Sequence, residues 1–84
     1  MQKTESKKEI GRCNVALGRV VRERRTMLSM SQEELALKAD LHRTYISDLE
    51  RGMRNLTIGA LVGVAHGLQL PLGRIVELME EKLK

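Results

Sequence analysis

The chain has 84 residues, a net charge of +4 and a single cysteine. This length predicts one small domain, and one cysteine excludes an intrachain disulfide framework. No apolar run approaches the roughly 18 residues of a membrane span, and the N-terminus has no apolar h-region, so we expect a cytoplasmic protein that contacts no membrane. Tyr45 is the only aromatic residue, which argues against a stacking surface for single-stranded nucleic acid.

The positive charge lies in the first two-thirds of the chain. Residues 1–56 contain 12 basic and 8 acidic residues, whereas residues 57–84 contain 3 of each. An excess of this size is compatible with phosphate contact without establishing it. Within this part, residues 1–10 are polar and are interpreted as a disordered or frayed tail, with a basic arm that touches phosphate as the alternative. Residues 11–84 are expected to form the folded domain.

The first two helices are marked by an apolar period and a cap. Leu17, Val21 and Leu28 recur at helical spacing, which predicts a helix over about 14–28. Ser31 with Glu34 three residues later is typical of a capping box, so a second helix starts there. We expect it to stop near Asp40, a residue type that tolerates the left-handed conformation of a sharp turn.

Two further helices follow. The third, from about 42 or 43 to 51, buries Ile46 and Leu49 and ends at Gly52 in the C′ position. The fourth covers about 58–68, with Thr57 as its N-cap. Its inward residues are expected to be Leu61, Val62, Ala65 and Leu68.

The fifth helix opens at or near Pro71 and carries an apolar stripe. The stripe consists of Leu72, Ile75, Val76, Met79 and Leu83. It is interpreted in two ways: it closes the core of one chain, or it pairs with the same helix of a second copy. Because five apolar residues exceed what one core face needs in so small a domain, we predict a homodimer interface.

Five helices without strands predict an all-α fold, a five-helix orthogonal bundle with a helix-turn-helix at helices 2 and 3. The third helix is short and carries exposed donors, which suits the major groove of double-stranded DNA. A two-fold dimer would place two such helices about 34 Å apart and would require a pseudo-palindromic operator.

The motifs between Ser31 and Thr57 carry a family resemblance. Ser-Gln-Glu-Glu-Leu-Ala at 31–36, Arg-Thr-Tyr-Ile-Ser at 43–47 and Leu-Glu-Arg-Gly at 49–52 resemble the XRE family, the helix-turn-helix regulators related to phage repressors and Cro. The resemblance covers roughly residues 16–80 and implies a DNA-binding domain of the phage-repressor type. Arg-Asn-Leu-Thr at 54–57 adds a likeness to the controller proteins of restriction–modification systems, which are small dimeric regulators.

The resemblance also implies roles for single residues. Base-reading residues would be Arg43, Thr44, Tyr45 and Ser47. Contacts to the DNA backbone would come from Gln32, Ser31, Arg54, Asn55 and Arg51. Arg25 and Glu50 match a buried salt bridge of phage repressors that ties the first helix to the end of the third. Two positions depart from the family pattern: Ser29 stands where Gly is common, and Arg24 stands where an apolar residue is common.

The remaining polar residues give no sign of catalysis. Asp48 is interpreted as a solvated acid, as an acceptor for cytosine N4, or as a partner that orients Arg51 or Arg43. His42 and Cys13 have no neighbours at ligand or nucleophile spacing, so we expect no metal site, no cofactor, no small-molecule ligand and no enzyme activity. A phage- or plasmid-type repressor, or an antitoxin- or coactivator-like interaction module on the same fold, is the alternative function.

Overall fold

A computed structural model describes the backbone of residues 3–84 and the side chains of residues 6–84. The chain forms five helices: α1 (Lys3–Met27), α2 (Gln32–Ala39), α3 (Arg43–Glu50), α4 (Ile58–Gly67) and α5 (Leu72–Lys82). Across residues 3–84 there is no strand. The prediction of an all-α, five-helix fold is therefore confirmed. The bend of 97° between α4 and α5 gives the orthogonal character.

Helix α1 starts earlier than the sequence predicts, and residues 1 and 2 of the predicted tail lie outside the described residues. It begins at Lys3 rather than at about residue 14, and residues 3–10 form its first turns where a disordered or frayed tail was expected. Lysine and glutamate are good helix formers, and no proline or glycine precedes Gly11. Residues 7–12 are exposed, so helix propensity supports this part of the helix, together with the hydrogen bond from Arg12 Nη2 to the Leu83 carbonyl at 3.3 Å.

The caps of the short helices follow the sequence closely. The Glu34 amide donates to Ser31 Oγ, and the Ser31 amide donates to Glu34 Oε1, both at 3.0 Å, which completes the capping box of α2. Asp40 ends α2 in the left-handed region at φ 57°. Thr57 Oγ1 accepts from the Ala60 amide at the start of α4. The turn before α2 also contains a left-handed residue, Ser29 at φ 58°, at the position where the family often has glycine.

The core is aliphatic. Its most deeply buried side chains are Leu35, Ile46, Leu49, Leu68, Ile75, Val21 and Val64. Two predictions are wrong here. Ile75 belongs to the core of a single chain and not to a dimer interface, because α5 turns this residue towards the bundle. Val62, expected to point inwards, is half exposed because the face of α4 that packs on the core carries Ala60, Val64 and Ala65.

Close backbone approaches join the helices. Gly18 of α1 lies against the carbonyl oxygens of Leu49 and Glu50, where a Cβ atom would collide. Gly63 of α4 lies in the same way against the carbonyl of Ala39 at the end of α2. These approaches let α1 hold the end of α3, and let α4 hold the end of α2 next to the turn of the helix-turn-helix.

Arg24, which departs from the family pattern, joins α1 to the end of α4. Its Nε donates to the Leu68 carbonyl at 3.0 Å and satisfies an acceptor at the C-terminus of α4. Its position is therefore partly buried and structural.

No single helix in residues 3–84 is long and apolar enough to cross a membrane. Helices α4 and α5 together have the length and the apolar composition of a membrane span, but they are sharply bent at the break between them.

Candidate nucleic-acid interface

The outer face of α3 presents its first residues to solvent. Arg43 and Thr44 are exposed, and Ser47, one turn later, is half-buried. Ile46 and Leu49 occupy the opposite face and are buried, so the helix is fixed by its apolar side. Three of the four predicted base-reading residues therefore lie on one accessible surface. The fourth, Tyr45, packs against another part of the protein.

Tyr45 packs beside the loop after α3. The guanidinium of Arg54 lies 4.6 Å from the centroid of its ring, the geometry of a cation–π contact. Its hydroxyl is buried and has no hydrogen-bond partner within the described part of the chain. In this conformation Tyr45 supports Arg54, and its hydroxyl would have to turn outwards to reach a base.

Asp48 organises the two arginines predicted to touch the DNA backbone. Its Oδ1 accepts from Arg51 Nη2 at 2.6 Å, and its Oδ2 lies 3.6 Å from Arg54 Nε. Of the interpretations offered from the sequence, the structure supports the one in which Asp48 pairs with Arg51, and it adds Arg54. The acid also reduces the local positive charge at this edge of the surface.

The N-terminus of α2 lies beside α3. Ser31 is exposed as the N-cap, and Gln32 is half-buried in the first turn. Gln32 Nε2 donates to Glu50 Oε1 at 3.0 Å, while Arg43 Nη1 donates to Gln32 Oε1 at 3.3 Å. The predicted backbone anchor and the predicted base-reading arginine are thus in direct contact.

Arg25 and Glu50 form the ion pair that the resemblance implies. Arg25 Nε donates to Glu50 Oε2 at 2.6 Å and Arg25 Nη2 to Glu50 Oε1 at 2.9 Å. The third donor, Nη1, reaches the Met30 carbonyl at 2.7 Å, which ties the turn before α2 to the same pair. The two side chains are 12% and 3% exposed. The hydrogen bonds from this guanidinium to the Glu50 carboxylate raise the pKa of Arg25 further above its usual value.

One residue of this surface was not found from the sequence. Asn14 Nδ2 donates to Asn55 Oδ1 at 2.8 Å, and Val15 lies against Gly52, which has φ 74°. Helix α1 therefore supports the loop that carries Asn55. No residue pattern in the sequence indicates this contact, since it depends on how the loop after α3 folds back onto α1.

The predicted dimer residues are divided by the fold. Leu72 and Val76 are exposed to 38% and 36%, while Met79 is partly buried against the core and Leu83 is half-buried. Two apolar residues of α4 are also exposed, Ile58 at 71% and Val62 at 50%.

The described residues include no group of three or more His, Cys, Asp or Glu side chains that could hold a metal ion. Cys13 is half-buried. The exposed side chains of Arg43 and Thr44 at the start of α3 carry hydrogen-bond donors on the surface.

Comparisons with known proteins agree with this geometry. A family model described as helix-turn-helix matches residues 21–75. Control protein C.BamHI of Bacillus amyloliquefaciens is 50% identical over 52 residues, which cover 61% of this chain and 64% of that protein, somewhat under two-thirds of its length. Control protein C.SmaI of Serratia marcescens is 39% identical over 67% of each chain.

A solved structure is also similar. The wild-type restriction–modification controller protein C.Esp1396I superposes with a TM-score of 0.77 at 35% identity, covering 84% of this chain and 92% of that one. The match extends through the helix-turn-helix and most of the bundle around it. The chain belongs to the XRE-type helix-turn-helix family of DNA-binding regulators, in the group that includes restriction–modification controller proteins.

Proposed function

We propose that this chain is a homodimeric, sequence-specific transcriptional regulator, a controller protein of a restriction–modification system that binds a pseudo-palindromic operator in double-stranded DNA. The observation that carries the proposal is the exposed α3 face with Arg43 and Thr44, held by the buried Arg25–Glu50 pair. It would act in the bacterial cytoplasm and associate with the nucleoid while bound to DNA. It would need no cofactor and catalyse no reaction.

Within this proposal, the residues have separate tasks. Arg43 would make a bidentate contact to guanine O6 and N7, and Thr44 and Ser47 would contact neighbouring base edges. Tyr45 would reach a base edge once its hydroxyl turns outwards. Ser31, Gln32, Arg51, Arg54 and Asn55 would fix the register by contacting phosphates. The similarity to proteins named as controller proteins supports regulation of a restriction–modification operon as the biological context.

The dimer is supported by the exposed apolar residues of α4 and α5. Ile58 and Val62 follow each other by one turn on α4, and Leu72 and Val76 do so on α5. We infer that these side chains contribute to one apolar surface, which a second copy would remove from water. A two-fold axis there would give each operator half-site one α3 helix.

The test is a titration of fluorescent DNA from the region upstream of the chain's own gene, read by anisotropy and compared with a scrambled duplex. The wild type should prefer its own site, and its binding constant should fall steeply with salt because phosphate contacts release counterions. Arg43→Ala should reduce the preference by about 1–3 kcal/mol. Arg74→Ala, which removes an exposed arginine from α5, is the matched control and should keep the preference.

If Arg43→Ala leaves the site preference unchanged, α3 is not the reading helix. A tight complex with a co-expressed neighbouring protein, together with no retention on DNA, would favour the interaction-module alternative.

A further inference from the structure

Four polar side chains form a continuous hydrogen-bonded network that runs from the core to the exposed face of α3. Arg25 donates twice to Glu50, Glu50 accepts from Gln32, and Gln32 accepts from Arg43. This network begins at the almost fully buried side chains of Arg25 and Glu50 and ends at the exposed Arg43. Each residue comes from a different part of the fold: α1, the end of α3, the start of α2 and the start of α3.

The buried carboxylate determines which way the Gln32 amide faces. A carboxylate only accepts hydrogen bonds, so the Gln32 group that meets Glu50 Oε1 at 3.0 Å must be the NH₂ end. The amide oxygen then has to point away from Glu50. It faces Arg43, whose Nη1 lies 3.3 Å away. With the amide reversed, Gln32 would present an oxygen to the carboxylate and NH₂ donors to the guanidinium, and both contacts would be repulsive.

This single contact restricts which part of Arg43 is available to DNA. Gln32 engages Nη1, and this is the only side-chain hydrogen bond of Arg43 within the described residues. The edge formed by Nε and Nη2, with two parallel donors, stays available for guanine O6 and N7. A long arginine side chain loses much rotamer freedom when it is fixed. Because the hydrogen bond to Gln32 already restricts Arg43 in the free protein, less conformational entropy is lost when DNA binds.

We propose that Gln32 is a specificity-determining positioning residue: its amide, oriented by Glu50, aims the guanidinium of Arg43 at the base. This inference rests on the proposed function and adds to it, since Gln32 is otherwise only an anchor for the DNA backbone. The remaining N–H of its NH₂ group can still donate to a phosphate, so the two tasks are compatible. They have different signatures, because a lost phosphate contact weakens binding to every sequence equally, whereas a lost positioning contact weakens base discrimination.

The experiment compares binding of Gln32→Leu to the operator and to an operator changed at the one base pair where Arg43→Ala loses its preference. We expect Gln32→Leu to reduce discrimination at that base pair by about 3- to 10-fold, the size of one hydrogen bond, and to leave discrimination at other base pairs unchanged. In an Arg43→Ala background, Gln32→Leu should have no further effect on discrimination. Asn55→Ala, which removes another predicted backbone contact, should weaken binding to both duplexes by the same factor.

A second measurement needs no DNA. The ¹⁵N order parameter of Arg43 Nε in the free protein should fall in Gln32→Leu and also in Gln32→Met, a substitution of similar length that lacks the amide group. Equal weakening on both duplexes, or an unchanged order parameter in both variants, would overturn the inference while the proposed function stands. If the wild type shows no operator preference at all, the proposed function and this inference both fail.

Discussion

Arg54 and Tyr45 are stacked, with the guanidinium carbon 4.6 Å from the ring centroid. Asp48, in the last turn of α3, pairs with the same arginine. The loop after α3 is therefore ordered by contacts among the residues that are predicted to touch DNA. The stack also places the Tyr45 hydroxyl where it is buried without a partner in the described chain.

Tyr45→Phe should leave the stability of the free protein unchanged or raise it by up to about 1 kcal/mol. The substitution keeps the ring beneath Arg54 and removes a buried hydroxyl that costs free energy while it makes no hydrogen bond. Urea unfolding followed by circular dichroism measures the change. A loss above 1 kcal/mol would mean that the hydroxyl has a stabilising partner in solution.

Glu50→Gln should destabilise the fold by about 3–5 kcal/mol, because it leaves the nearly buried Arg25 guanidinium without a counter-charge. The control is Glu77→Gln, which breaks the exposed Arg74–Glu77 pair and should cost no more than about 1 kcal/mol. Both values come from denaturant midpoints at neutral pH. Similar costs for the two variants would show that burial of the Arg25–Glu50 pair does not matter.

Gly18→Ala should destabilise by about 1–3 kcal/mol, because the added methyl group meets the carbonyl oxygens at the end of α3. Gly11→Ala, in the same helix but with nothing within 4 Å, should stabilise by up to about 1 kcal/mol through helix propensity. Thermal unfolding separates the two. Opposite signs are the expected result, and two stabilised variants would mean that α1 does not approach α3 so closely.

Stability should depend on the charge of the α2 capping box at acidic pH. The hydrogen bond from the Ser31 amide lowers the pKa of Glu34 below its usual 4.5. A carboxyl group with a lowered pKa stabilises the fold above its unfolded pKa and loses that contribution as the pH falls through the folded value. The wild type should therefore lose stability below about pH 4.5, the usual carboxyl pKa.

Glu34→Gln keeps an acceptor for the Ser31 amide but does not titrate. Its unfolding midpoint should change less than that of the wild type as the pH falls through the same range. Glu33→Gln, which removes the same charge from the same turn outside the capping box, is the control. Identical pH profiles for the wild type and Glu34→Gln would contradict the prediction.

Val76→Asp should shift the proposed dimer to monomer, since it places a charge on the exposed apolar face of α5. Leu37→Asp introduces the same charge at an apolar residue of α2 that is 84% exposed, and it should leave the dimer intact. Sedimentation velocity at micromolar concentration reports the difference. Dimerisation of Val76→Asp at wild-type strength would place the interface elsewhere.

The sequence predicted the helix ends correctly wherever the local backbone conformation requires a particular type of residue. Ser31 with Glu34, Asp40 and Gly52 each marked a helix end correctly, because capping and left-handed backbone need particular side chains. The five helices and the family followed from apolar spacing and from the motifs around α3.

The residues whose exposure was predicted wrongly are those whose burial depends on how the helices pack against each other. Ile75 and Val76 are neighbours in one apolar stripe, and only the tilt of α5 decides that the first is buried and the second exposed. Val62 was misassigned for the same reason on α4. The early start of α1 at Lys3 was missed because a polar, exposed helix has no apolar period to reveal it. The contact between Asn14 and Asn55 joins positions far apart in sequence, and no local pattern indicates it.

The three donors of Arg25 end on Glu50 and on the Met30 carbonyl, so a single side chain secures both the entrance to α2 and the exit of α3. None of these contacts involves Thr44 or Ser47. Substitutions at these two outward positions should therefore change the exposed face of α3 without disturbing the contacts that hold α2 and α3 in place. Gln32 and Arg43 are the exception, because the hydrogen bond between them connects the buried Arg25–Glu50 pair to the exposed face of α3.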